Sequence, residues 1–305
     1  MDAFAATRLA VGAGFLVVAA VSDVRTRRVR DPLWIALGTI GLIVLAAELS
    51  DKGASWPAWS LLASGAVLFY TVFLGRPMFE EDGLHPRSVR LLLFFIAGLL
   101  FLLAVSMAGS ARSSPSIPEL ASMPAMIVIY QGFYRLRLLH GGADAKGLIA
   151  LSVLVPTYPE ASPFPLLAVD PIVASVLRTL FPFSLVVWLD AALVSLAVPI
   201  ALFAYNAARG DFAIPQAFLG YRAPVDAFPA HAWLMEKITE RGDHVLVLFP
   251  KRGLDPAADL ARLRAAGIDR VWVTPQTPFL VALLAGFLLA FFAGNLLVGV
   301  LGLGR

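Results

Sequence analysis

Eight runs of apolar residues limit the folds open to this sequence more than any other feature in it. They lie near residues 4–21, 32–49, 57–74, 89–108, 123–139, 144–156, 183–208 and 277–301. About 20 apolar residues span a hydrocarbon core of about 30 Å, and a segment in lipid must satisfy its own backbone hydrogen bonds, as a helix does. Of all residues, 59% are hydrophobic and only 15% are charged. The sequence therefore predicts an all-α polytopic membrane helix bundle of about eight helices in a lipid bilayer.

Basic residues are distributed unevenly between the two sides of this predicted bundle. Most of the 24 Lys and Arg residues follow the first, third and fifth runs or lie in the polar stretch 208–276, whereas Arg8 lies near the outer end of the first run. Loops rich in Lys and Arg face the cytoplasm, so we expect a multi-pass protein of the cell membrane with both termini outside. The first run lacks a preceding basic segment and a cleavage site, which favours a retained helix over a signal peptide. Because the cytoplasmic loops account for the net charge of +3, we do not expect a nucleic-acid partner.

The polar stretch 208–276 interrupts the apolar pattern and predicts a small α/β insertion on the cytoplasmic side. Within it, "HVLVLFP" (244–250) and "RVWVTP" (270–275) indicate strands, and "PAADLARLRAAGI" (256–268) indicates a helix. This order predicts a βαβ unit with parallel strands. We therefore divide the chain into a membrane domain at 1–207, the insertion at 208–276 and a C-terminal transmembrane helix at 277–305.

The absence of cysteine excludes several kinds of chemistry. There are no disulfides, thiol nucleophiles or Cys-ligated zinc sites, and the four histidines lack the spacing of metal ligands. The insertion carries no glycine-rich phosphate-binding motif. We therefore expect neither a metal nor another cofactor.

Two aspartates at the ends of apolar runs are the candidate catalytic residues. Asp144 lies in "LLHGGADAKGLIALSVLVP" (138–156), and Asp23 lies in "AVSDVRTRRVRDPLW" (20–34). An ionisable residue in or beside a membrane helix is costly and indicates a functional site with a partner. An even number of predicted crossings separates the two, so both return to the same side of the membrane. Two carboxylates that share one proton activate water and protonate a carbonyl in aspartic proteases.

Simpler roles are open for each residue around these aspartates. Either aspartate alone could cap a helix or pair with a nearby base. Gly141 and Gly142 allow unusual backbone conformations or a close approach of another chain, and His140 beside them is either an interfacial residue or a group that tunes the pair. Lys146 is expected to anchor the interface or, second, to pair with the aspartates. Asp190, inside the seventh run, is more simply a buried structural acid than a part of a proton path.

Both stretches resemble the archaeal prepilin and preflagellin peptidases, which are GxGD-type intramembrane aspartic proteases. "DVRTRRVRDPLW" matches the first aspartate motif of that family at Asp23, and "GGADAK" matches the second at Asp144 and Lys146. Ala143 replaces the second glycine of GxGD, and Arg30-Asp31 stands where Pro-Asn is common. Asp31 is therefore an alternative to Asp23, although an acid at the start of the next helix also suits the helix dipole.

The resemblance implies removal of short, basic class III leader peptides from membrane-anchored prepilins or prearchaellins at the cytoplasmic face. It assigns catalysis to Asp23 and Asp144 and the substrate-binding turn to Gly141, Gly142, Ala143 and Lys146. The acidic segment Glu80, Glu81 and Asp82 could attract a basic leader, although a solvated loop is the simpler interpretation.

Two other functions are open from the residues alone. A transporter would use Asp144 and Asp190 as a proton or cation path. A non-catalytic scaffold of a secretion or archaellum machine would bind its partner through the insertion 208–276.

Overall fold

The computed structural model describes residues 1–74, 79–80, 83–84, 87–108, 116–139, 141–167, 171–239, 241–250 and 255–300. The chain forms two compact units, Met1–Val194 with Pro278–Arg305, and Ser195–Thr277. We refer to them as the helical unit and the mixed unit. The division into domains at 207 and 276 stays a prediction.

Most of the described residues are helical. The helices are, in chain order, α1 Ala3–Thr26, α2 Asp31–Asp51, α3 Trp56–Phe73, α4 Ser88–Met107, α5 Ile117–Arg135, α6 Gly142–Leu154, α7 Pro171–Leu180, α8 Phe183–Ser195, α9 Ala197–Ala208, α10 Gln216–Leu219, α11 Ala257–Ala265, α12 Phe279–Phe292 and α13 Leu296–Val300. The helical unit contains α1 to α8, α12 and α13, and the mixed unit contains the other three.

Five described helical segments are long and apolar enough to cross a membrane. They are Ala3–Thr26, Asp31–Asp51, Trp56–Phe73, Ser88–Met107 and Phe183–Ala208, the last of which comprises α8 and α9. The predicted helical membrane protein is confirmed at this level, while the number of eight crossings stays a prediction. The sixth run forms a short helix, as expected, but α6 begins at Gly142 and not at Asp144.

Helix α6 lies at the centre of the helical unit. All of its residues from Gly147 to Leu154 are buried, and it contacts α1, α2, α3 and α5. A helix that is apolar on every side avoids water, either in lipid or surrounded by other helices. The sequence "GLIALSVL" meets this condition, so the first turn of α6 carries Asp144 at one end of the bundle core.

The mixed unit contains antiparallel strands, and the predicted parallel pairing is wrong. Strand β7 (Arg270–Pro275) lies between β3 (Tyr221–Pro224) and β4 (Ala232–Leu234), antiparallel to both. Strand β6 (His244–Leu246) pairs instead with β5 (Glu236–Ile238) as an antiparallel hairpin. Strands β3, β4 and β5 are short and were not predicted from the sequence. They provide antiparallel partners through short connections, whereas a parallel pair needs a long crossover.

Helix α11 and the three-stranded sheet share a small apolar core. Leu263 of α11 is fully buried and packs with Val271 and Val273 of β7. A short two-stranded element, β1 (Phe79–Glu80) with β2 (Gly83–Leu84), lies between α3 and α4 in the chain. The site residues considered below all belong to the helical unit.

Candidate active site

Asp144 lies in the first turn of α6, and its carboxylate folds back toward the residue that caps the helix. Gly141 is the N-cap residue, and its carbonyl accepts a hydrogen bond from the backbone N–H of Ala145 at 3.1 Å. A Cβ on Gly141 would overlap Oδ2 of Asp144. Glycine at 141 therefore leaves room for the carboxylate near the helix N-terminus, where the helix dipole stabilises negative charge.

The two glycines of this turn do not have the backbone conformation that only glycine adopts. Gly141 has φ −97° and ψ 122°, which is extended, and Gly142 lies within α6, where a Cβ would be in ordinary contact 3.5 Å from Tyr134 Oη. Unusual backbone conformation is therefore not the reason for glycine at 141, whereas close approach of the Asp144 carboxylate is. The predicted contact with substrate stays a prediction.

Asp23 lies one turn before the end of α1, and it also reaches a helix N-terminus. Its carbonyl accepts from the backbone N–H of Arg27 at 3.0 Å, and Arg27 ends the helix in the left-handed conformation at φ 54°. Oδ2 of Asp23 accepts from the backbone N–H of Leu280 at 3.4 Å. Leu280 is in the first turn of α12, so the Asp23 carboxylate lies at the N-terminus of that helix.

Three helices that carry acids meet at Leu154, the last residue of α6. A Cβ on Gly12 of α1 would lie 3.0 Å from Leu154 Cδ2, and a Cβ on Gly41 of α2 would lie 2.7 Å from Leu154 Cα. The missing side chains let α1 and α2 approach α6 closely at this point. We call this depth in the bundle the Leu154 level.

Asp23, Asp31 and Asp144 lie at nearly the same height above the Leu154 level. With a rise of about 1.5 Å per residue, each acid lies about 15 to 17 Å along its own helix from its contact at that level. Since α1 runs toward the acids while α2 and α6 run away from them, all three carboxylates lie at the same end of the bundle. We call this end the aspartate end.

Helix α12 connects the helix of Asp23 with the helix of Asp144. Its Leu280 N–H donates to Asp23, and one turn later a Cβ on Gly147 of α6 would lie 3.5 Å from Leu283 Cδ2. Gly147 follows Asp144 by one turn of α6. A single turn of α12 therefore contacts both helices that carry the candidate catalytic residues, near the ends where Asp23 and Asp144 lie.

Lys146 pairs with the third carboxylate at this end. Its Nζ lies 2.6 Å from Oδ1 of Asp31, and both side chains are partly exposed. Lys146 also lies over the ring of Phe73, 5.9 Å from its centroid. The second interpretation of Lys146 was an ion pair with Asp23 and Asp144, which stays a prediction; the carboxylate that it contacts here is that of Asp31, the first residue of α2.

Asp190 lies apart from the other acids. It is fully buried in α8, and its Oδ1 accepts from the backbone N–H of Leu296 at 3.1 Å. Leu296 follows the end of α12, whereas Leu280 begins it, so Asp190 is near the opposite end of that helix from Asp23. Its Oδ2 has no hydrogen-bond partner among the described residues.

Several predicted neighbours of the site cannot be placed. His140, Glu81 and Asp82 lie outside the described residues, and for Glu80 only the backbone is described. Their predicted roles stay predictions.

An ion pair that was not predicted from the sequence lies at the end of the bundle opposite the acids. Arg8 of α1 and Glu48 of α2 are 2% and 3% exposed and lie 2.5 Å apart, Nη2 to Oε2. A charge inside an apolar run is costly and needs a partner. The first and second apolar runs each contain one such charge, Arg8 and Glu48. The sequence therefore indicates that each charge needs a partner, although it does not show that they pair with each other.

Comparison with known proteins covers both parts of the chain. Residues 10–187 match the Type IV leader peptidase family, and residues 213–296 match the family described as Archaeal Peptidase A24 C-terminus Type II. A preflagellin peptidase from Methanocaldococcus jannaschii is 26% identical over 182 residues, which covers 57% of this chain and 71% of that protein. The first match includes Asp23, Asp31 and Asp144, and the second includes α12.

Proposed function

Because the chain belongs to the type IV leader peptidase family, we propose that it is a membrane aspartic endopeptidase that removes short, basic leader peptides from prepilins or prearchaellins. The similar preflagellin peptidase supports this substrate class. The observation that supports the catalytic assignment is that Asp23 and Asp144 lie at nearly the same height, at the same end of helices that α12 connects. A pair of aspartates can act on one peptide bond only if both carboxylates come within reach of it, which requires that they lie at the same end of the bundle.

Asp23 and Asp144 share one proton in the proposed reaction. The ionised carboxylate takes a proton from water while the protonated one donates to the carbonyl oxygen of the scissile bond. The new C–O bond gives a tetrahedral intermediate, whose collapse breaks the C–N bond and transfers a proton to the leaving amine. The N-termini of α6 and α12 lie beside the two carboxylates and stabilise the negative charge that the pair keeps throughout.

The ion pair of Lys146 with Asp31 favours Asp23 over Asp31 as the partner of Asp144. Oδ1 of Asp31 is already engaged by the Lys146 ammonium group at 2.6 Å, and Asp31 is the first residue of α2, where a carboxylate also suits the helix N-terminus. The carboxylate of Asp23 instead accepts the backbone N–H of Leu280 at 3.4 Å, which holds its position.

The proposed orientation places the aspartate end of the bundle toward the cytoplasm. Arg25, Arg28 and Arg30 follow Asp23 closely, and Arg135 and Arg137 precede Asp144. Such an excess of basic residues is typical of cytoplasmic loops. A basic leader would then stay in the cytoplasm while the apolar helix of its precursor lies in the membrane beside the bundle.

Cleavage of a precursor by single-residue variants tests the proposal. Membranes with equal amounts of wild type, Asp23→Asn, Asp144→Asn or Asp31→Asn are mixed with a prepilin or prearchaellin precursor, and the shortened product is quantified. Loss of a proton-transferring carboxylate costs about 100-fold to 10,000-fold, so we expect the first two variants to lose cleavage. Asp31→Asn, the matched carboxylate-to-amide control at the same height, should stay within about tenfold of wild type.

Other outcomes would change the proposal in defined ways. Loss in Asp31→Asn with activity in Asp23→Asn would keep the enzyme class and exchange the assignment. Cleavage by an inserted Asp144→Asn variant would refute the aspartic mechanism. If the wild type cleaves none of several precursors, the scaffold becomes the better hypothesis, and deletion of 208–276 should then abolish assembly while both Asp→Asn variants support it.

A further inference from the structure

Buried polar contacts join α1, α2 and α6 at the end of the bundle opposite the acids. Arg8 Nε donates to the carbonyl of Leu154 at 2.9 Å, and Arg8 Nη2 lies 2.5 Å from Glu48 Oε2. Lys52 Nζ lies 2.8 Å from the other carboxylate oxygen, Oε1. Arg8 and Glu48 are both almost fully buried, whereas the Lys52 side chain is 24% exposed. We call Arg8, Glu48 and the Leu154 carbonyl the register clamp.

Stability alone does not explain a buried ion pair inside an apolar bundle. Removing two charges from water costs several kcal/mol per ion, and well-packed apolar side chains in their place are often equally or more stabilising. On one side the pair packs near Leu45, Leu49 and Leu154, which are fully buried. On the other side Arg8 and Glu48 line a small polar cavity together with Lys52. The pair therefore contributes a property that apolar packing lacks, which is the defined direction of its hydrogen bonds.

The other contacts at this depth bring the helices close without fixing their heights. At Gly41 the surface of α2 is smooth and the backbone of α6 packs directly on it, whereas at Gly12 of α1 the nearest group is the Phe287 ring of α12 and the Leu154 side chain comes next. The contact at Gly41 involves no side chain of α2 and permits sliding along the helix axis. The guanidinium group is planar with donors in fixed directions, so a hydrogen bond to one carbonyl and an ion pair to one carboxylate define a single height.

We propose that Arg8 and Glu48 are positioning residues that fix the axial register of α1, α2 and α6 and thereby set the relative heights of Asp23 and Asp144. This inference rests on the proposed function. The Leu154 carbonyl is among the last four of α6, which have no intrahelical donor, and Arg8 supplies both a donor and a positive charge at this negative helix end.

The required precision follows from helix geometry. A slip of one residue moves a helix by about 1.5 Å and turns its side chains by about 100°. Two carboxylates that share a proton tolerate far less, because a displacement of about 1 Å in a reacting group costs up to about 100-fold in rate. The clamp acts from about 15 Å or more below the acids, through three helices that are rigid over this length.

The test separates positioning from stability by replacing the clamp with apolar side chains. Arg8→Met with Glu48→Met keeps side chains of similar length without charge, and Arg8→Lys keeps the charge but not the planar donors. For each variant, kcat and KM for precursor cleavage and the Tm in detergent are measured. Lys52→Gln is the matched control, because it removes a charge from the same cluster and leaves the link between α1 and α6.

We expect kcat to fall about tenfold to 100-fold in the double variant and in Arg8→Lys, with KM within about threefold and Tm close to wild type. Lys52→Gln should keep the wild-type kcat. Wild-type kcat in the double variant would overturn the inference, as would a loss of kcat that simply follows a loss of Tm. Failure of every Arg8 and Glu48 variant to fold would also overturn it, since the role would then be structural.

The Asp→Asn variants in the same assay distinguish a failure of the proposed function from a failure of the register clamp. Cleavage by Asp144→Asn would refute the proposed function whatever the clamp variants do. Inactive Asp23→Asn and Asp144→Asn variants beside a double clamp variant with wild-type kcat would refute only the register clamp.

Discussion

Replacing Gly141 by alanine should slow cleavage about 100-fold while the protein stays folded. The added Cβ would overlap Oδ2 of Asp144 and lie 3.2 Å from Oδ1. These atoms are the end of a side chain and not backbone, so the carboxylate can move aside and the helix can still form. The carboxylate would then leave the place that the N-terminus of α6 provides for it.

The size of this effect follows from the displacement. Ordinary contact between non-bonded heavy atoms is about 3.5 Å, so relief of the overlap needs a movement of about 1 Å or more. A misplacement of that size costs up to about 100-fold in rate, which is about 2.7 kcal/mol of transition-state free energy. The loss should appear in kcat, because Asp144 acts on the bound peptide bond.

Gly142→Ala is the matched control, because it adds the same methyl group one residue later. Its Cβ would lie 3.5 Å from Tyr134 Oη, in ordinary contact, and alanine is the better helix former by up to about 1 kcal/mol. We expect wild-type kcat and a Tm equal to or above wild type. Wild-type cleavage by Gly141→Ala, or an equal loss in Gly142→Ala, would refute the reasoning that glycine at 141 makes room for the carboxylate.

Three further predictions concern stability in other parts of the chain. Gly41→Ala should cost about 1–3 kcal/mol in thermal unfolding, because its Cβ would lie 2.7 Å from the backbone of α6. Gly14→Ala has open space inside α1 and should be neutral or slightly stabilising. The backbone N–H of Trp272 donates to Oε1 of Glu236 at 2.7 Å. Glu236→Ala leaves this buried donor without its acceptor and should lower the free energy of unfolding of the mixed unit by about 1–3 kcal/mol, measured by tryptophan fluorescence. Glu236→Gln keeps an acceptor and should recover much of that free energy. Burial lowers the pKa of Lys52, but the hydrogen bond and charge of its glutamate partner raise it above the ordinary 10.5. That stabilisation is complete below the ordinary pKa and lost as pH rises through the raised one, so Lys52→Met should flatten the alkaline fall of Tm.

Hydropathy and charge predicted the parts of the fold that depend on solvent. The long apolar runs became α1 to α4 and the segment of α8 and α9, because backbone groups in lipid leave no alternative to a helix. The short sixth run was recognised as well. Strand pairing in the mixed unit was not, since β3, β4 and β5 have three or four residues each and carry too little pattern to be recognised.

The candidate site was predictable as a set of residues but not as a set of contacts. Asp23 and Asp144 followed from the cost of charge beside lipid and from an even number of crossings. The pairing of Lys146 with Asp31 depends on the packing of α6 against α2, which no local pattern encodes. The steric role of Gly141 likewise depends on the side-chain conformation of Asp144, and sequence alone indicated a backbone role instead.

Helix α2 has a role that neither catalytic residue indicates, because it is joined to the other two acid-bearing helices at opposite ends. At the aspartate end, Asp31 pairs with Lys146 of α6, and at the other end Glu48 pairs with Arg8 of α1. Between these ends, Gly41 lets its backbone lie directly on α6. In the proposed clamp the buried Arg8–Glu48 pair fixes the height of α2, whereas the Lys146–Asp31 pair is partly exposed and adds little. The two proposed catalytic carboxylates belong to α1 and α6, so their alignment depends on a helix that contributes neither of them.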